Sequence, residues 1–314
     1  MVTIPEENSP TRDAIYAAYE AQRGDGFRAH LGASIIGEPC ARALWYDFRW
    51  TTEVHHEGRI LRLFETGQRE EDRLVRNLRE TGATVLEVDP DTGRQFSVHA
   101  HGGHFGGSLD GVAIGILEAP KTWHVVEFKT HGLKSFRDLM AKGVEVSKPQ
   151  HAAQMQVYMH LTEITRAIYI AVCKDTDALY VERIRINADA GSRHLVKAGR
   201  IIYADRPLSR ISEDPAWFEC RFCDHHDLCH GDAPAARNCR TCLHATAIEG
   251  GWHCARHDRE LSVANQHAAC ARHLFIPDLV PGEVIAADKD YVTYRLRDGT
   301  TWTNNAQDGE EASC

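Results

Sequence analysis

The sequence predicts an α/β fold, a mixed sheet flanked by helices and followed by a small cysteine-rich appendage. Three observations predict it. Helical and strand periodicities interleave through the first two thirds of the chain. The stretch from His104 to Tyr158 sets two acidic residues and a lysine into strand-like sequence. Seven of the ten cysteines fall between residues 220 and 270, where apolar residues are sparse. A length of 314 residues accommodates one large domain with an appendage, placed at 1–230 and 231–314.

In chain order, TRDAIYAAYEAQR (11–23) has apolar residues at helical spacing and stops before the turn signal Gly24-Asp25-Gly26. Gly37-Glu38-Pro39 punctuates the next stretch, and Cys40 opens a helix expected over Ala41 to Trp50. A long amphipathic helix follows, with Leu61, Phe64, Leu74, Val75 and Leu78 on its apolar side and Gly82 as its stop. TVLEVDP and RQFSVHA read as short strands around the turn Asp89 to Gly93.

After the Asp110 hairpin and the Glu127 strand, a short linker leads to Lys148-Pro149, which opens a helix with proline in its first turn. RAIYIAVCK and ALYVERIRI are two further strands joined by Asp175-Thr176-Asp177, with Cys173 as a buried core thiol. INADAGSRHLVKAGRIIYAD is another amphipathic helix. Near the end, EVIAADKDYVTYRLRDGTTWTN alternates like two strands around Arg297-Asp298-Gly299, and the tail bearing Cys314 reads as frayed.

The chemistry concentrates in two segments, HFGGSLDG (104–111) and WHVVEFKT (123–130). Side chains alternate along a strand, so Glu127 and Lys129 share one face while Val126 and Phe128 face a core. Gly111 lets the chain double back, and a hairpin of this length sets Asp110 beside Glu127. Two carboxylates and an ammonium then converge at one edge of a sheet, an expensive arrangement without a function. Hard oxygen ligands of this kind suit Mg²⁺ and phosphodiester hydrolysis, with Lys129 orienting water and stabilising charge on the phosphate. On the following helix Gln154 and Tyr158 lie one turn apart on one face.

The cysteines form two groups. Cys220, Cys223 and Cys229 make C-x2-C-x5-C, three ligands in need of a fourth. A local histidine (His225, His226 or His230) would complete a zinc site. Cys40 would instead complete a [4Fe–4S] cluster and clip together segments about 180 residues apart. Cys239, Cys242, Cys254 and Cys270 sit in a polar segment that needs a staple, and four thiolates suit Zn²⁺, with His244, His253 or His257 as substitutes.

Hydrophobic and charged contents of 43% and 26% are ordinary for a globular protein with a real core. No apolar run reaches membrane-span length and the N-terminus is polar, so no membrane partner and a cytoplasmic location are expected. In a reducing compartment ten cysteines point to metal ligation rather than disulfides. The net charge of −9 excludes a protein that coats DNA broadly but leaves room for a local basic groove. Lys121, Lys129, Lys134, Arg137, Lys142 and Lys148 either line such a groove or solvate the surface.

The pattern D-(x16)-E-x-K, followed by Gln154 and Tyr158, resembles the PD-(D/E)XK nuclease superfamily over about residues 30 to 230. It is most similar to the RecB-like branch, which includes CRISPR-associated RecB-like nucleases and many phage exonucleases. Leu109 stands where the superfamily's name has proline. The resemblance implies a restriction-endonuclease-like sheet and a DNA nuclease with Asp110, Glu127, Lys129, Gln154 and Tyr158 as catalytic residues. It implies Mg²⁺ or Mn²⁺ held by Glu71, Asp110, Glu127 and Phe128. Glu71 enters because it lies one turn after Gly67 on the long helix, at the position of the superfamily's metal-facing acid. The resemblance also implies a [4Fe–4S] cluster on Cys40, Cys220, Cys223 and Cys229. Expected partners are single-stranded or end-bearing DNA and a recombination or CRISPR-type protein. The rivals are a non-catalytic nucleic-acid-binding or assembly subunit and a restriction-type endonuclease on the same core.

Overall fold

A computed structural model describes residues 9–22, 24 and 27–305. Asp25 and Gly26 of the first turn and the tail bearing Cys314 lie outside the described residues. The chain begins with helix α1 (Pro10–Ala21), strand β1 (Leu31–Gly32), α2 (Ala41–Arg49) and α3 (Gly58–Glu80). Strands β2 (Thr84–Leu86), β3 (Ser97–Ala100), β4 (Phe105–Ser108), β5 (Gly111–Ile114) and β6 (His124–His131) follow. Then come α4 (Leu133–Ser147), α5 (Pro149–Thr162), β7 (Arg166–Cys173), β8 (Leu179–Arg185) and α6 (Ala188–Ile202).

The principal sheet runs β2-β5-β6-β7-β8. Only β6 and β7 are parallel, and α4 with α5 forms the crossover that such a pair requires. The strand bearing Glu127 is therefore the middle of five, the interior position that its run of Val125, Val126 and Phe128 predicts. Its residues explain the position, because both faces are covered. Val125 joins the apolar cluster of Met155, Val157 and Tyr158 from α5. Val126 and Phe128 pack on the other side with Leu74, Val75 and Leu78 of α3. The first half of α3 departs from the expected stripe: Phe64 is exposed, and Gly58 approaches the backbone of Tyr16 in α1.

Two further expectations are corrected. The short linker before Lys148 is the helix α4, which buries Phe136, Leu139 and Val144 at helical spacing. Gly143 does not end it. With φ of 73° it kinks the last turn, and the freed Val144 N–H donates to Glu182 at 2.9 Å. The two segments expected around the turn at Asp89 to Gly93 meet at a bridge between Val88 and Gln95, and their strands β2 and β3 go on to different sheets. β2 joins the principal sheet, while β3 joins a small sheet ordered β1-β4-β3. The C-terminal alternation gives three strands rather than two, because Lys289-Asp290 makes a second turn.

Beyond α6 lie two short helices, α7 (Phe218–Arg221) and α8 (His226–Cys229). They lead to a sheet of β9 (Ala245–Ile248), β10 (Gly251–Cys254) and β11 (Arg259–Leu261), closed by α9 (Val263–Ala268). The last sheet is β12 (Gly282–Asp288), β13 (Tyr291–Leu296) and β14 (Thr301–Asn305). This region is less poor in core than its composition suggests. Trp252, Leu261, Ile276 and Leu279 join the same apolar cluster as α2 and α5.

Two buried arginines tie this region to α2 without a carboxylate. Arg49 donates to the carbonyls of Arg240 and Ala245, each at 3.1 Å, and Arg240 donates to those of Phe48 and Ala29 at 3.0 and 2.9 Å. The Arg240 guanidinium also stands 3.6 Å from the ring centroid of Trp50. Among the described residues no helix is long and apolar enough to cross a membrane.

Candidate active site

The β5–β6 pair sets the site. Its antiparallel register puts Gly111 opposite Val126, so Asp110 enters the strand level with Glu127. There Asp110 Oδ2 accepts the Phe128 N–H at 2.7 Å. Glu127 is fully buried, with Lys129 hydrogen-bonded to its Oε1 and Gln154 Nε2 donating to its Oε2 at 3.2 Å. Lys129 Nζ also donates to the Phe128 carbonyl at 3.1 Å. Phe128 buries its ring, so that carbonyl oxygen is the only atom it can offer a cation.

The helix α5 supplies the opposite wall. His151, Gln154 and Tyr158, at i, i+3 and i+7, form one row. Gln154 Nε2 donates to the Tyr158 hydroxyl at 3.2 Å, and that hydroxyl donates to the Ser108 carbonyl at 2.9 Å. The glycine at 107 is required here. A Cβ at that position would stand 2.5 Å from the Tyr158 hydroxyl oxygen.

Glu71 reaches the group from α3. Burial pushes its carboxyl up to about 7, with Asp110 adding to the rise and Lys129 opposing it. Its neighbour Glu70 pairs with Arg73 at 3.2 Å. Burial likewise takes Glu127 up to about 7, against Lys129 and with Asp110. Asp110 is raised by burial, against Lys129 and the Phe128 N–H. For Lys129 burial disfavours the ammonium, but Glu127 and Asp110 outweigh it and its pKa rises. Three carboxylates thus share one ammonium, and the set has unmet demand for positive charge.

Among the described residues no three His, Cys, Asp or Glu side chains converge on a single ion. At the carboxylates the reason is visible, since Lys129 and Gln154 each hold one oxygen of Glu127.

A neighbouring chain of groups escaped the sequence reading. The Tyr169 hydroxyl meets His131 Nε2 and His151 Nδ1, each at 2.9 Å, and the two imidazoles stack with centroids 5.9 Å apart. Tyr169 is the β7 residue in register with Glu127. Burial first, and then nearby lysines, take His131 down to about 4. Burial, Lys129 and His131 take His151 down to about 3. The available signal was His151 itself, one turn before Gln154 on the same face.

The cysteines are drawn into the two expected neighbourhoods. Cys40, Cys220, Cys223 and Cys229 line one cavity of about 270 Å³. His225 Nε2 is engaged by Asp47 at 3.0 Å and His226 Nδ1 by Asp227 at 3.0 Å, while the buried Nε2 of His230 has no hydrogen-bond partner among the described residues. In the second group Cys239, Cys242 and Cys254 are buried. Burial lifts the Cys242 thiol to about 11, with Cys254 and Cys270 contributing. The Nε2 of His244, beside this group, is buried without a hydrogen-bond partner.

No protein-family model matches the sequence, and no curated protein is similar to it. Several solved structures resemble the fold distantly, three of them as follows. An alkaline exonuclease, LHK-Exo, from Laribacter hongkongensis is 18% identical, covering 60% of this chain and 89% of its own, with a TM-score of 0.40. LHK-Exo in complex with dAMP is 17% identical over the same shares, also at 0.40. SSO0001 is 14% identical, covering 71% of this chain and 97% of its own, at 0.42. Likenesses this distant carry no argument about chemistry, which rests on the side chains above.

Proposed function

We propose that this chain is a divalent-metal-dependent deoxyribonuclease of the PD-(D/E)XK type, cutting single-stranded or end-bearing DNA. The setting is end processing in recombination, repair, phage replication or CRISPR-type adaptation, alongside a protein of that process. The observation that carries the reading is Glu127, buried between Lys129 and Gln154 with Asp110 level with it on the paired strand. A scaffold would be at least as stable with apolar residues in these places, so the ionic set calls for a chemical role.

Glu71, Asp110, Glu127 and the Phe128 carbonyl would hold Mg²⁺ or Mn²⁺, and the fit lies in their hard oxygens and unmet negative charge. Such an ion supplies Lewis acidity to the phosphate and favours hydroxide over water. Lys129 keeps its proton throughout, since Glu127 and Asp110 stabilise the ammonium, and it donates to the attacking water and the developing phosphate charge. Gln154 fixes the second oxygen of Glu127, and Tyr158 anchors Gln154 to the backbone at Ser108.

Within the same reading, Cys40, Cys220, Cys223 and Cys229 hold a [4Fe–4S] cluster. Thiolates on one zinc stand only about 3.8 Å apart, as Zn–S bonds of about 2.3 Å dictate. The corners of a cluster are wider, and the four cysteines line one cavity in which either group would have to sit. Zn²⁺ is assigned to Cys239, Cys242, Cys254 and Cys270, supported by soft donors in a buried setting and by the unpartnered His244 nitrogen nearby as a substitute. The ion itself would draw these donors together.

The decisive experiment is digestion of labelled linear, circular, single-stranded and double-stranded DNA with and without Mg²⁺ or Mn²⁺. Metal-dependent loss of single-stranded or end-bearing substrate is the expected result. Specific cutting of a relaxed closed duplex would favour a restriction-type endonuclease. Binding without cleavage under every metal would leave an assembly subunit.

A further inference from the structure

We propose that the hollow at the start of α4 is the track on which the sugar–phosphate backbone of the DNA strand lies as it enters the carboxylate site. The proposal rests on the nuclease reading above and names the surface that the substrate occupies. Lys134, Arg137 and Lys148 line an open hollow of about 940 Å³. Lys134 and Arg137 are exposed, and neither makes an ion pair or hydrogen bond among the described residues. Lys148 donates only to Ser147, to its carbonyl at 3.2 Å and its hydroxyl at 2.8 Å.

The acids of the hollow are already engaged. Asp138 pairs with Lys142 at 2.7 Å and accepts from the Ser147 hydroxyl at 2.6 Å, while Asp175 accepts the Leu133 N–H at 2.6 Å. Lys134, Arg137 and Lys148 thus bring three cations to a concavity with two carboxylates, Asp138 and Asp175, and among the described residues Lys134 and Arg137 have no acidic partner, on a chain whose net charge is −9. Such a concentration against the overall charge fits a polyanion.

Its place in the fold favours a polynucleotide over an acidic protein. β6 runs from Glu127 and Lys129 through His131 directly into this hollow, and Ser135 Oγ lies 3.3 Å from His131 Nδ1. His131 and His151 lie between the two places, each meeting the Tyr169 hydroxyl at 2.9 Å, and each is near enough to feel both Lys129 at the site and Lys148 at the hollow. A strand lying there would present one phosphate to Lys129 and the next ones to Lys148, Arg137 and Lys134. Contacts of this kind position the backbone and read no sequence.

The test uses the full-length protein, a fluorescein-labelled single-stranded 20-mer and EDTA, with anisotropy measured across a salt series. The double variant Lys134→Gln/Arg137→Gln should bind about tenfold more weakly near 0.1 M salt. Its slope of log K against log[salt] should be shallower by about 1.4, two contacts at about 0.7 each. Lys142→Gln, whose charge is committed to Asp138, should bind like the parent. Equal slopes for parent and double variant would overturn the proposal, as would polyglutamate displacing the 20-mer as well as unlabelled DNA does. Cleavage by the parent in Mg²⁺, measured separately, keeps the two readings apart. Cleavage with unchanged slopes defeats the track alone, and a shifted slope without cleavage defeats the nuclease reading alone.

Discussion

Asp110 Oδ2 accepts the main-chain N–H of Phe128 at 2.7 Å, locking a carboxylate from one strand to the middle of the next. The bond does two things. It favours the charged form of Asp110 against a burial that disfavours it, and it fixes where that charge sits relative to Glu127.

Glu127→Ala and Lys129→Ala should each lower cleavage by at least about a thousandfold, or about 4 kcal/mol in the transition state, while DNA binding persists. Lys129→Ala should in addition destabilise the fold by about 3 kcal/mol, because it leaves Glu127 buried without its cation. Denaturant titration and single-turnover cleavage separate the two effects. Near-parental turnover in either variant would remove these residues from the active site.

Gly107→Ala should behave like a loss of Tyr158. The new methyl would stand 2.5 Å from the Tyr158 hydroxyl oxygen, so the ring must shift and release Gln154. Tyr158→Phe, which removes only the hydroxyl, should cost about 1 kcal/mol of stability and a smaller share of activity. A Gly107→Ala variant more active than Tyr158→Phe would contradict this order.

Stability should depend on pH through His131 and His151. Their folded pKa values, about 4 and about 3, lie below the unfolded value of about 6.5. The stability they contribute is thus fully present above pH about 6.5 and is lost as pH falls toward the folded values. Glu71 and Glu127, raised to about 7, act in the opposite sense, contributing most at low pH and losing it as pH rises through 7. The parent curve is the sum, so the informative quantity is the gap between parent and His151→Asn. That gap should move by about 2 kcal/mol against the parent between pH 7 and 4.5. A constant gap would mean that His151 is not held neutral.

The two cysteine groups should fail differently. Protein purified anaerobically should be brown, with about four irons and one zinc per chain. Cys220→Ala should bleach the colour and destabilise the whole nuclease region, since α2 and the segment around α7 lose their shared tether. Cys242→Ala should keep the colour and expose protease sites beyond residue 231. Colourless protein with zinc alone would defeat the cluster and leave the nuclease proposal standing.

The sequence by itself determined the local features of this protein. The alternation in WHVVEFKT set Glu127 and Lys129 on one strand face, and the Asp110 hairpin set the register that levels Asp110 with Glu127. Both follow from nearest neighbours along the chain. Helix α4 was also written locally, in Phe136, Leu139 and Val144, although the stretch reads as a short linker, and the left-handed backbone of Gly143 near its end leaves a Val144 N–H that Glu182 accepts.

Only the tertiary structure decided the rest. The run of Val125, Val126 and Phe128 already reads as an interior strand, but that β7 is the strand beside it, after a crossover of two helices, is a distant pairing that no window of sequence contains. The link through His131, Tyr169 and His151 joins three elements in the same way. Nothing local in the sequence marks Arg49 and Arg240 as buried, because an arginine is buried only where carbonyls and aromatic rings from elsewhere replace its water. Those partners lie about 190 residues away along the chain, and folding alone brings them together.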